Sequence, residues 1–287
     1  MVTPLWPRLI ATTTHALASG TLQPIGTQPT LITEHDVPFL IRTLDTLKRK
    51  DDAQRRLQQA GNTQRNPFLP WDPALWLCNL SPSHHALLNK FNVIDHHLLI
   101  VTRDFESQLS PLNYNDFHAL ALCLQQIDGL GFYNGGPFAG ASQPHKHLQL
   151  IPLPMTPCAE LPFSPLLARL QGDQPQPCPG LLFNHRALAL PAELFNDPQQ
   201  TADRLLFYHQ QLQATLNLNP NNAAEKKPAF NLLITRRWML LVPRHQESII
   251  GISLNALAFS GAVLLRNKAQ LAELKRYGLM RGLMDVC

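Results

Sequence analysis

Three short apolar segments lie close together in the first half of the chain, and they constrain its fold more than any other feature. They are residues 75–80, 85–89 and 97–101, and turn-forming residues separate them. Short apolar runs joined by polar turns are typical of an antiparallel β-meander. Proline accounts for 25 of the 287 residues, which argues against long uninterrupted helices because proline cannot donate the helical hydrogen bond.

Helical periodicity appears in three segments outside this meander. Residues 115–127 carry apolar side chains at helical spacing, with Asn115 as the predicted N-cap. Residues 202–216 predict a second helix, and residues 254–265 predict a third that begins behind Ser253. The helices are therefore segregated from the strands of the meander.

Residues 230–235 and 238–242 flank two arginines and predict a β-hairpin. Hairpins with segregated helices predict the α+β class, with an antiparallel sheet and flanking helices. Two strand-and-helix halves are weakly alike, which suggests an internal duplication. We expect residues 1–287 to form one domain, with an N-terminal extension over about 1–36 and a proline-rich insertion at the surface over about 157–180.

Charge and cysteine content exclude several classes of protein. The net charge is +4, a bias compatible with a phosphate-bearing ligand but too weak for a nucleic-acid-binding protein. The sequence contains no run of roughly 18 apolar residues, so we expect no membrane span. The five cysteines form no C-x-x-C pair, which argues against a disulfide framework or a cysteine zinc site and favours the reducing cytoplasm.

The segment 133–149 contains the residues with catalytic potential. If a strand begins at His145, side-chain alternation places His145, His147 and Gln149 on one face. The other face then carries Lys146, Leu148 and Leu150, of which the leucines can reach a core. The strand would thus be held by its apolar face while three nitrogen-bearing side chains project together.

A loop rich in small residues precedes this strand. It contains Gly135, Gly136, Gly140 and Ser142. Glycines permit close backbone approach, and successive N–H groups can bind an anion. A glycine loop next to the pattern His-x-His-x-Gln indicates a phosphate-binding catalytic site.

Two histidines at i and i+2 are also compatible with a metal site or a buried hydrogen-bonded pair. A metal site needs further ligands, and the chain has no cysteine pair or carboxylate at a diagnostic spacing. The pairs His84-His85 and His96-His97 could each supply at most one ligand, because adjacent strand residues point to opposite faces. We therefore favour catalysis and predict no metal ligands.

The His-x-His-x-Gln segment resembles the histidine-triad (HIT) superfamily in its transferase branch. It is most similar to the ATP adenylyltransferases, also called diadenosine tetraphosphate phosphorylases. Further similar stretches are residues 66–73, 88–93, 96–102 and 233–244, so the resemblance spans about residues 37–265. It implies a HIT-like sheet. The galactose-1-phosphate uridylyltransferases are also similar, but they typically carry zinc-binding cysteines that this chain lacks.

The resemblance implies a role for each residue of the motif. His147 would be the nucleophile, Gln149 would donate a hydrogen bond to the phosphoryl oxygens, and His145 would orient the phosphate. It also implies nucleotide- or phosphate-binding roles for Asn89, Lys90, Asn134, Gly140, Ala141, Ser142 and Gln143. A lysine near the start of the chain should contact polyphosphate; we expect Lys50, with Lys48 as a close competitor.

The implied reaction is the phosphorolysis of diadenosine tetraphosphate by inorganic phosphate to ATP and ADP through a covalent adenylyl-histidine, or its reverse. Gln149 stands where hydrolases of the superfamily usually have a third histidine, which favours an acceptor other than water. We expect small-molecule partners (dinucleoside polyphosphate, ATP, ADP and phosphate), no tightly bound cofactor, Mg²⁺ only as a companion of the polyphosphate, and a monomer. The alternatives are a uridylyltransferase acting on a sugar phosphate and a catalytically idle nucleotide-binding module.

Overall fold

The computed structural model describes residues 4–45, 66–156, 160–218 and 228–287. Its strands are β1 (Thr27–Glu34), β2 (Val37–Leu44), β3 (Trp76–Asn79), β4 (His84–Leu88), β5 (Leu98–Thr102), β6 (Gly129–Gly135), β7 (His147–Pro152), β8 (Arg186–Ala189), β9 (Ala229–Ile234), β10 (Trp238–Arg244), β11 (Ser248–Ile249), β12 (Ile252–Ser253) and β13 (Ala262–Leu265). Its helices are α1 (Leu5–Ala18), α2 (Tyr114–Gln126), α3 (Ser164–Leu167), α4 (Pro198–Thr215), α5 (Lys268–Tyr277) and α6 (Leu279–Met284). Within these ranges no helix is long and apolar enough to cross a membrane.

An eight-stranded sheet organises the molecule, in the order β3-β4-β5-β7-β6-β9-β10-β8. All its neighbouring strands run antiparallel. The predicted meander is confirmed as β3, β4 and β5, and the predicted hairpin is confirmed as β9 and β10. The α+β class with an antiparallel sheet and flanking helices is therefore confirmed, and the internal duplication stays a prediction.

The predicted helix over 115–127 is confirmed as α2, but its N-cap is Asn113 rather than Asn115. The Asn113 side chain accepts hydrogen bonds from the backbone N–H groups of Asn115 at 2.8 Å and Asp116 at 3.4 Å, and the Asp116 carboxylate accepts one from the backbone N–H of Asn113 at 2.8 Å. This reciprocal capping box satisfies two of the free N–H groups at the helix start. The helix predicted over 202–216 is confirmed as α4 and begins earlier, at Pro198.

The helix predicted over 254–265 is wrong. Residues 256–260 form a single 3-10 turn, and Gly261 follows at a φ of 92°. That left-handed conformation ends the turn and redirects the chain into β13, which pairs in parallel with β2. Pairing with a strand from the opposite end of the chain outweighs the local helical spacing.

Two hydrophobic cores cover the two faces of the large sheet. On one face, α1, α2 and α4 pack against the inner residues of β5 and β7, such as Ile100 and Leu148. On the other face, β2, β13 and the C-terminal helices pack over β6, β9 and β10. The proline-rich segment was expected at the surface, but its described part buries Leu161, Phe163 and Cys178 in this second core. Apolar side chains between the prolines hold it against the sheet.

The N-terminal extension forms part of the same body. Leu5 and Leu9 of α1 are buried in the core on the helical face. β1 pairs with β2 along its whole length, from Thr27 opposite Leu44 to Glu34 opposite Val37. The resulting three-stranded sheet, β1-β2-β13, stands beside the large sheet and bounds the cavity described next.

Candidate active site

A cavity of about 1200 Å³ opens on the face of the large sheet opposite the helices. One wall is formed by side chains of β4, β5 and β7, together with the loop after Asn66. The other wall is formed by β2, β13 and the turn that begins at Asn255. Motif residues that line the cavity are Asn89, Lys90, Asn134, Gly140, Ser142, Gln143, His147 and Gln149.

The alternation predicted for the motif strand holds, although β7 begins at His147 rather than at His145. His147 and Gln149 line the cavity, and Leu148 lies in the core beneath the helices. His145 forms a single bridge with Ser107 and is fully buried. The structure thus brings two of the three predicted catalytic side chains to the cavity and places His145 behind them.

His147 presents a ring nitrogen suited to nucleophilic attack. Its Nδ1 lies 2.8 Å from the carbonyl oxygen of His145, so Nδ1 carries the proton and Nε2 keeps its lone pair. Burial lowers the pKa of His147 to about 4, so the ring is neutral near pH 7. The ring also packs 5.1 Å from that of Phe68, and the backbone N–H of His147 donates to Gln108 Oε1 at 2.8 Å. The imidazole is therefore neutral, oriented and held in place.

Both ring nitrogens of His145 are already in use. Nε2 donates to the carbonyl oxygen of Thr102 at 2.9 Å, and Nδ1 accepts from the Asn66 amide at 2.9 Å. The Asn66 amide is itself fixed, because its Oδ1 accepts from the backbone N–H of Phe68 at 3.0 Å. Mainly through burial, the pKa of His145 is lowered. His145 therefore has no lone pair for attack, and its backbone carbonyl orients His147.

A chain of hydrogen bonds fixes the orientation of the Gln149 amide. The backbone N–H of Phe91 donates to Asn89 Oδ1 at 3.3 Å, so the Asn89 amide nitrogen faces His97 Nδ1, 3.2 Å away. His97 Nδ1 accepts that bond, so Nε2 is protonated and donates to Gln149 Oε1 at 3.0 Å. Mainly through burial, the pKa of His97 is lowered to about 4. The Gln149 NH₂ group is thereby left as a donor for a ligand in the cavity.

The glycine loop adopts left-handed conformations at Gly136 and Gly140, with φ of 102° and 85°. Within the loop, the N–H groups of Gly140 and Ala141 donate to backbone carbonyls, so Ser142 and Gln143 are the loop residues that offer donors to the cavity. Asn134 anchors the loop, because its Oδ1 accepts from the backbone N–H of Ala256 at 2.9 Å. The loop is thus tied to the second wall of the cavity.

A buried charge network lies behind the motif strand. Lys146 is fully buried, and its Nζ lies 2.6 Å from Asp116 Oδ2 and 2.8 Å from Glu106 Oε1. Asp116 also lies 3.1 Å from His84 Nε2. Burial opposes ionisation of Asp116, but the hydrogen bonds from His84 and Lys146 lower its pKa overall. The network fastens the start of α2 to the residue between the two motif histidines.

Several residues that shape the site were not assigned a role from the sequence. They are Asn66, Phe68, His97, Thr102, Gln108 and Asn255. The sequence offered each adjacent histidine pair as a source of at most one metal ligand and assigned neither pair to the catalytic site. His97 reaches Gln149, whereas His96 contacts Thr13 on α1. Lys50 and its competitor Lys48 lie outside the described residues.

Within the described residues, no group of three or more His, Cys, Asp or Glu side chains is placed to hold a metal ion. The four described cysteines (Cys78, Cys123, Cys178 and Cys287) are free thiols.

An oriented neutral histidine beside a glycine loop, on a HIT-like antiparallel sheet, defines a nucleotidyl-transfer site. Comparison with known proteins agrees with this class. Residues 2–169 match the family model of the Ap4A phosphorylase N-terminal domain, and residues 160–287 match that of the ATP adenylyltransferase C-terminal domain. The chain therefore belongs to the Ap4A phosphorylase (ATP adenylyltransferase) family, which confirms the prediction of a nucleotidyl-transferring enzyme.

Two proteins of Saccharomyces cerevisiae illustrate the relationship. Diadenosine 5',5'''-P1,P4-tetraphosphate phosphorylase 2 is 29% identical over 263 residues, which cover 80% of this chain and 76% of the relative. Protein APA1 is 29% identical over 209 residues, covering 64% of this chain and 62% of the relative. The crystal structure of yeast Ap4A phosphorylase Apa2 has the same fold, with a TM-score of 0.82, 22% identity and coverage of 100% of this chain and 95% of that chain. The complex of Apa2 with Ap4A gives a TM-score of 0.80 at 21% identity, covering 100% and 98% of the two chains.

Proposed function

We propose that this chain phosphorolyses diadenosine tetraphosphate (Ap4A) with inorganic phosphate to ATP and ADP, and catalyses the reverse reaction, through an adenylyl group carried on His147. The observation that carries the proposal is the locked tautomer of His147 at the cavity. Its Nδ1 is bound to the His145 carbonyl oxygen at 2.8 Å, so Nε2 has the lone pair. A neutral imidazole nitrogen is a competent nucleophile toward phosphorus.

The first half-reaction forms one bond and breaks another. Nε2 of His147 attacks the phosphorus next to one adenosine, and the bond from that phosphorus to the bridging oxygen breaks. The electron pair leaves with the bridging oxygen, which releases ATP. The adenylylated ring bears a positive charge while Nδ1 stays protonated, and the His145 carbonyl oxygen stabilises that charge through the existing hydrogen bond.

The second half-reaction regenerates the histidine. An oxygen of inorganic phosphate attacks the adenylyl phosphorus, the nitrogen–phosphorus bond breaks, and ADP leaves. In both steps negative charge develops on the non-bridging oxygens, and preorganised donors stabilise it. Gln149, with its oriented NH₂ group, and the loop residues Ser142 and Gln143 line the cavity, which supports this role for them.

Covalent labelling tests the proposal directly. The protein is mixed with Ap4A labelled at the α-phosphorus and assayed for label that is acid-labile and base-stable, as expected of a phosphoramidate. We expect label on the unsubstituted protein and on His145→Gly, and none on His147→Gly. Label retained by His147→Gly but lost by His145→Gly would reverse the assignment, and no label or turnover in any protein would indicate an idle nucleotide-binding module.

Product analysis tests the acceptor. With Ap4A and phosphate we expect ATP and ADP as products. Without phosphate, turnover should stop after the adenylyl group has loaded, because Gln149 replaces the third histidine of the hydrolases. AMP and ATP accumulating at the same rate without phosphate would identify a hydrolase instead.

The chemistry also supports a proposal about cofactors and setting. We propose an enzyme without a tightly bound cofactor, in which Mg²⁺ enters only with the polyphosphate, and which works as a cytoplasmic monomer. The His147 mechanism needs no metal-bound nucleophile, and the free thiols suit a reducing compartment. About one zinc per chain by elemental analysis, or a dimer by light scattering, would contradict it.

A further inference from the structure

The second wall of the cavity carries a cation that the reaction on His147 leaves unused. Arg42 lies on β2, where it pairs with Leu264 of β13, and both side chains line the cavity. Among the described lining residues, the cations are Arg42 and Lys90. A polyphosphate substrate carries several negative charges, so cations on the walls bear directly on how it is held.

The guanidinium of Arg42 has donors to spare. Its Nη1 donates to Thr27 Oγ1 at 3.3 Å, while its buried Nε has no hydrogen-bond partner among the described residues. Asp95 attracts it electrostatically, but no described carboxylate lies within ion-pair distance of Arg42. Guanidinium has five N–H donors in a planar fork that matches phosphate, so a partly buried one that no described carboxylate pairs with is suited to an incoming anion.

Backbone hydrogen bonds link the segment before β1 to the loop that carries Lys90, and a side-chain bond links the first residue of β1 to Arg42. The segment before β1 is hydrogen-bonded to the connection between β4 and β5: the N–H of Gln23 donates to the Lys90 carbonyl at 2.8 Å, and the N–H of Ile25 donates to the Asn92 carbonyl at 2.8 Å. This segment leads into Thr27, the partner of Arg42. The second wall is also joined to the glycine loop. The backbone N–H of Ala256, in the turn before β13, donates a hydrogen bond to Asn134 Oδ1.

We propose that Arg42, together with Lys90, forms an anion subsite that holds phosphate groups of a nucleoside polyphosphate beyond the phosphorus attacked by His147. The proposal rests on the proposed function, since it assigns the substrate's remaining phosphates to this wall. Arg42 acts there as a binding residue and affects the affinity for longer phosphate chains. The adenylyl group itself is bound by the glycine loop and His147.

The test compares ligands that differ only in phosphate number. Dissociation constants of AMP, ADP and ATP are measured by calorimetry for the full chain, for Arg42→Gln and for Arg42→Lys, with KM for Ap4A alongside. Arg169→Gln is the matched control, because Arg169 is exposed and outside the cavity. Circular dichroism and melting temperature establish that each variant is folded.

We expect Arg42→Gln to weaken ATP binding and raise KM for Ap4A by about 10- to 100-fold, the usual effect of removing a charge-assisted hydrogen bond. AMP binding should change less than about twofold, Arg42→Lys should retain part of the ATP affinity, and the control should match the unsubstituted chain. Equal losses for AMP and ATP, or no loss for either, would overturn the subsite. An unsubstituted chain that neither binds ATP nor turns over Ap4A would overturn the proposed function, and the subsite with it.

Discussion

Replacing His97 by phenylalanine tests whether the orientation of the Gln149 amide drives catalysis. His97 is 8% exposed, and its Nε2–H donates to Gln149 Oε1 at 3.0 Å. In the native orientation the Gln149 NH₂ group is free for the cavity. If the amide flipped, two donors would face one another at His97, so the native orientation is strongly favoured.

The magnitude follows from the loss of that hydrogen bond. Against a phenyl ring in place of the imidazole, neither the Oε1 nor the NH₂ group of Gln149 would have a partner, so the preference for the native orientation, about 1–3 kcal/mol, is lost. That free energy corresponds to roughly a 5- to 150-fold excess of the productive over the flipped amide, which His97→Phe would abolish. We therefore expect kcat to fall by at least about twofold, because about half of the amides would present Oε1 to the cavity, and by less than the roughly 100- to 1000-fold loss seen when an oxyanion donor is removed outright.

The assay separates this effect from simple destabilisation. Steady-state kinetics with Ap4A and phosphate should show the loss in kcat, while AMP binding should stay within about twofold. His97→Gln keeps an N–H donor and should restore part of the rate. His209→Phe is the matched control, because His209 is also buried but lies in α4 on the helical face, and its Nδ1 has no partner among the described residues. A kcat for His97→Phe equal to that of the unsubstituted enzyme would refute the orientation argument.

Three further predictions concern stability and binding. Burial is the main cause that lowers the pKa of four histidines to about 4 or about 3, whereas an unfolded chain protonates them near 6.5. Stability should therefore be lost as pH falls from about 6.5 towards 4, with a slope of up to roughly 5 kcal/mol per pH unit, and equal urea midpoints at pH 7 and 5 would contradict this. These histidines are His85, His97, His147 and His209. Lys146→Met should cost about 3–5 kcal/mol by denaturant titration, because it leaves the buried Asp116 carboxylate without its lysine partner, and adding Asp116→Asn should recover part of that loss. Gly140→Ala should raise KM for Ap4A, because its Cβ would lie 2.9 Å from that of Asn255 at a φ of 85°, whereas Gly172→Ala, also left-handed but with open space around it, should leave KM unchanged.

Elements held by local pattern were predictable from the sequence. The meander and α2 follow from short-range periodicity, and the structure contains both. The N-cap is Asn113 rather than the predicted Asn115, because capping depends on a reciprocal hydrogen bond with Asp116 and not on spacing alone. β13 could not be predicted, since it exists through parallel pairing with β2 and through Gly261 at a left-handed φ. The second wall of the cavity therefore could not be predicted from the sequence.

The candidate site was likewise predictable from the sequence only in part. Strand alternation was enough to place His147 and Gln149 together at the cavity. Alternation could not distinguish His145 from His147, because the hydrogen bonds that do so involve the His145 carbonyl oxygen and two partners that are distant in sequence, Asn66 and Thr102. The link from His97 to Gln149 crosses from the start of β5 to β7, so no spacing along the chain indicates it.

The pattern of these hydrogen bonds supports His147 as the proposed nucleophile among three neutral histidines. His145 has both ring nitrogens bonded, to Asn66 and to Thr102, and His97 has both bonded, to Asn89 and to Gln149. Among the described residues, His147 has a hydrogen-bond partner at Nδ1 only, and that carbonyl oxygen would stabilise the charge that adenylylation creates. Burial lowers the pKa of all three rings, so all three are neutral near pH 7. The proposed choice of nucleophile therefore rests on the partners of each ring, so a substitution at Asn66 or Asn89 should alter catalysis through the histidine it holds.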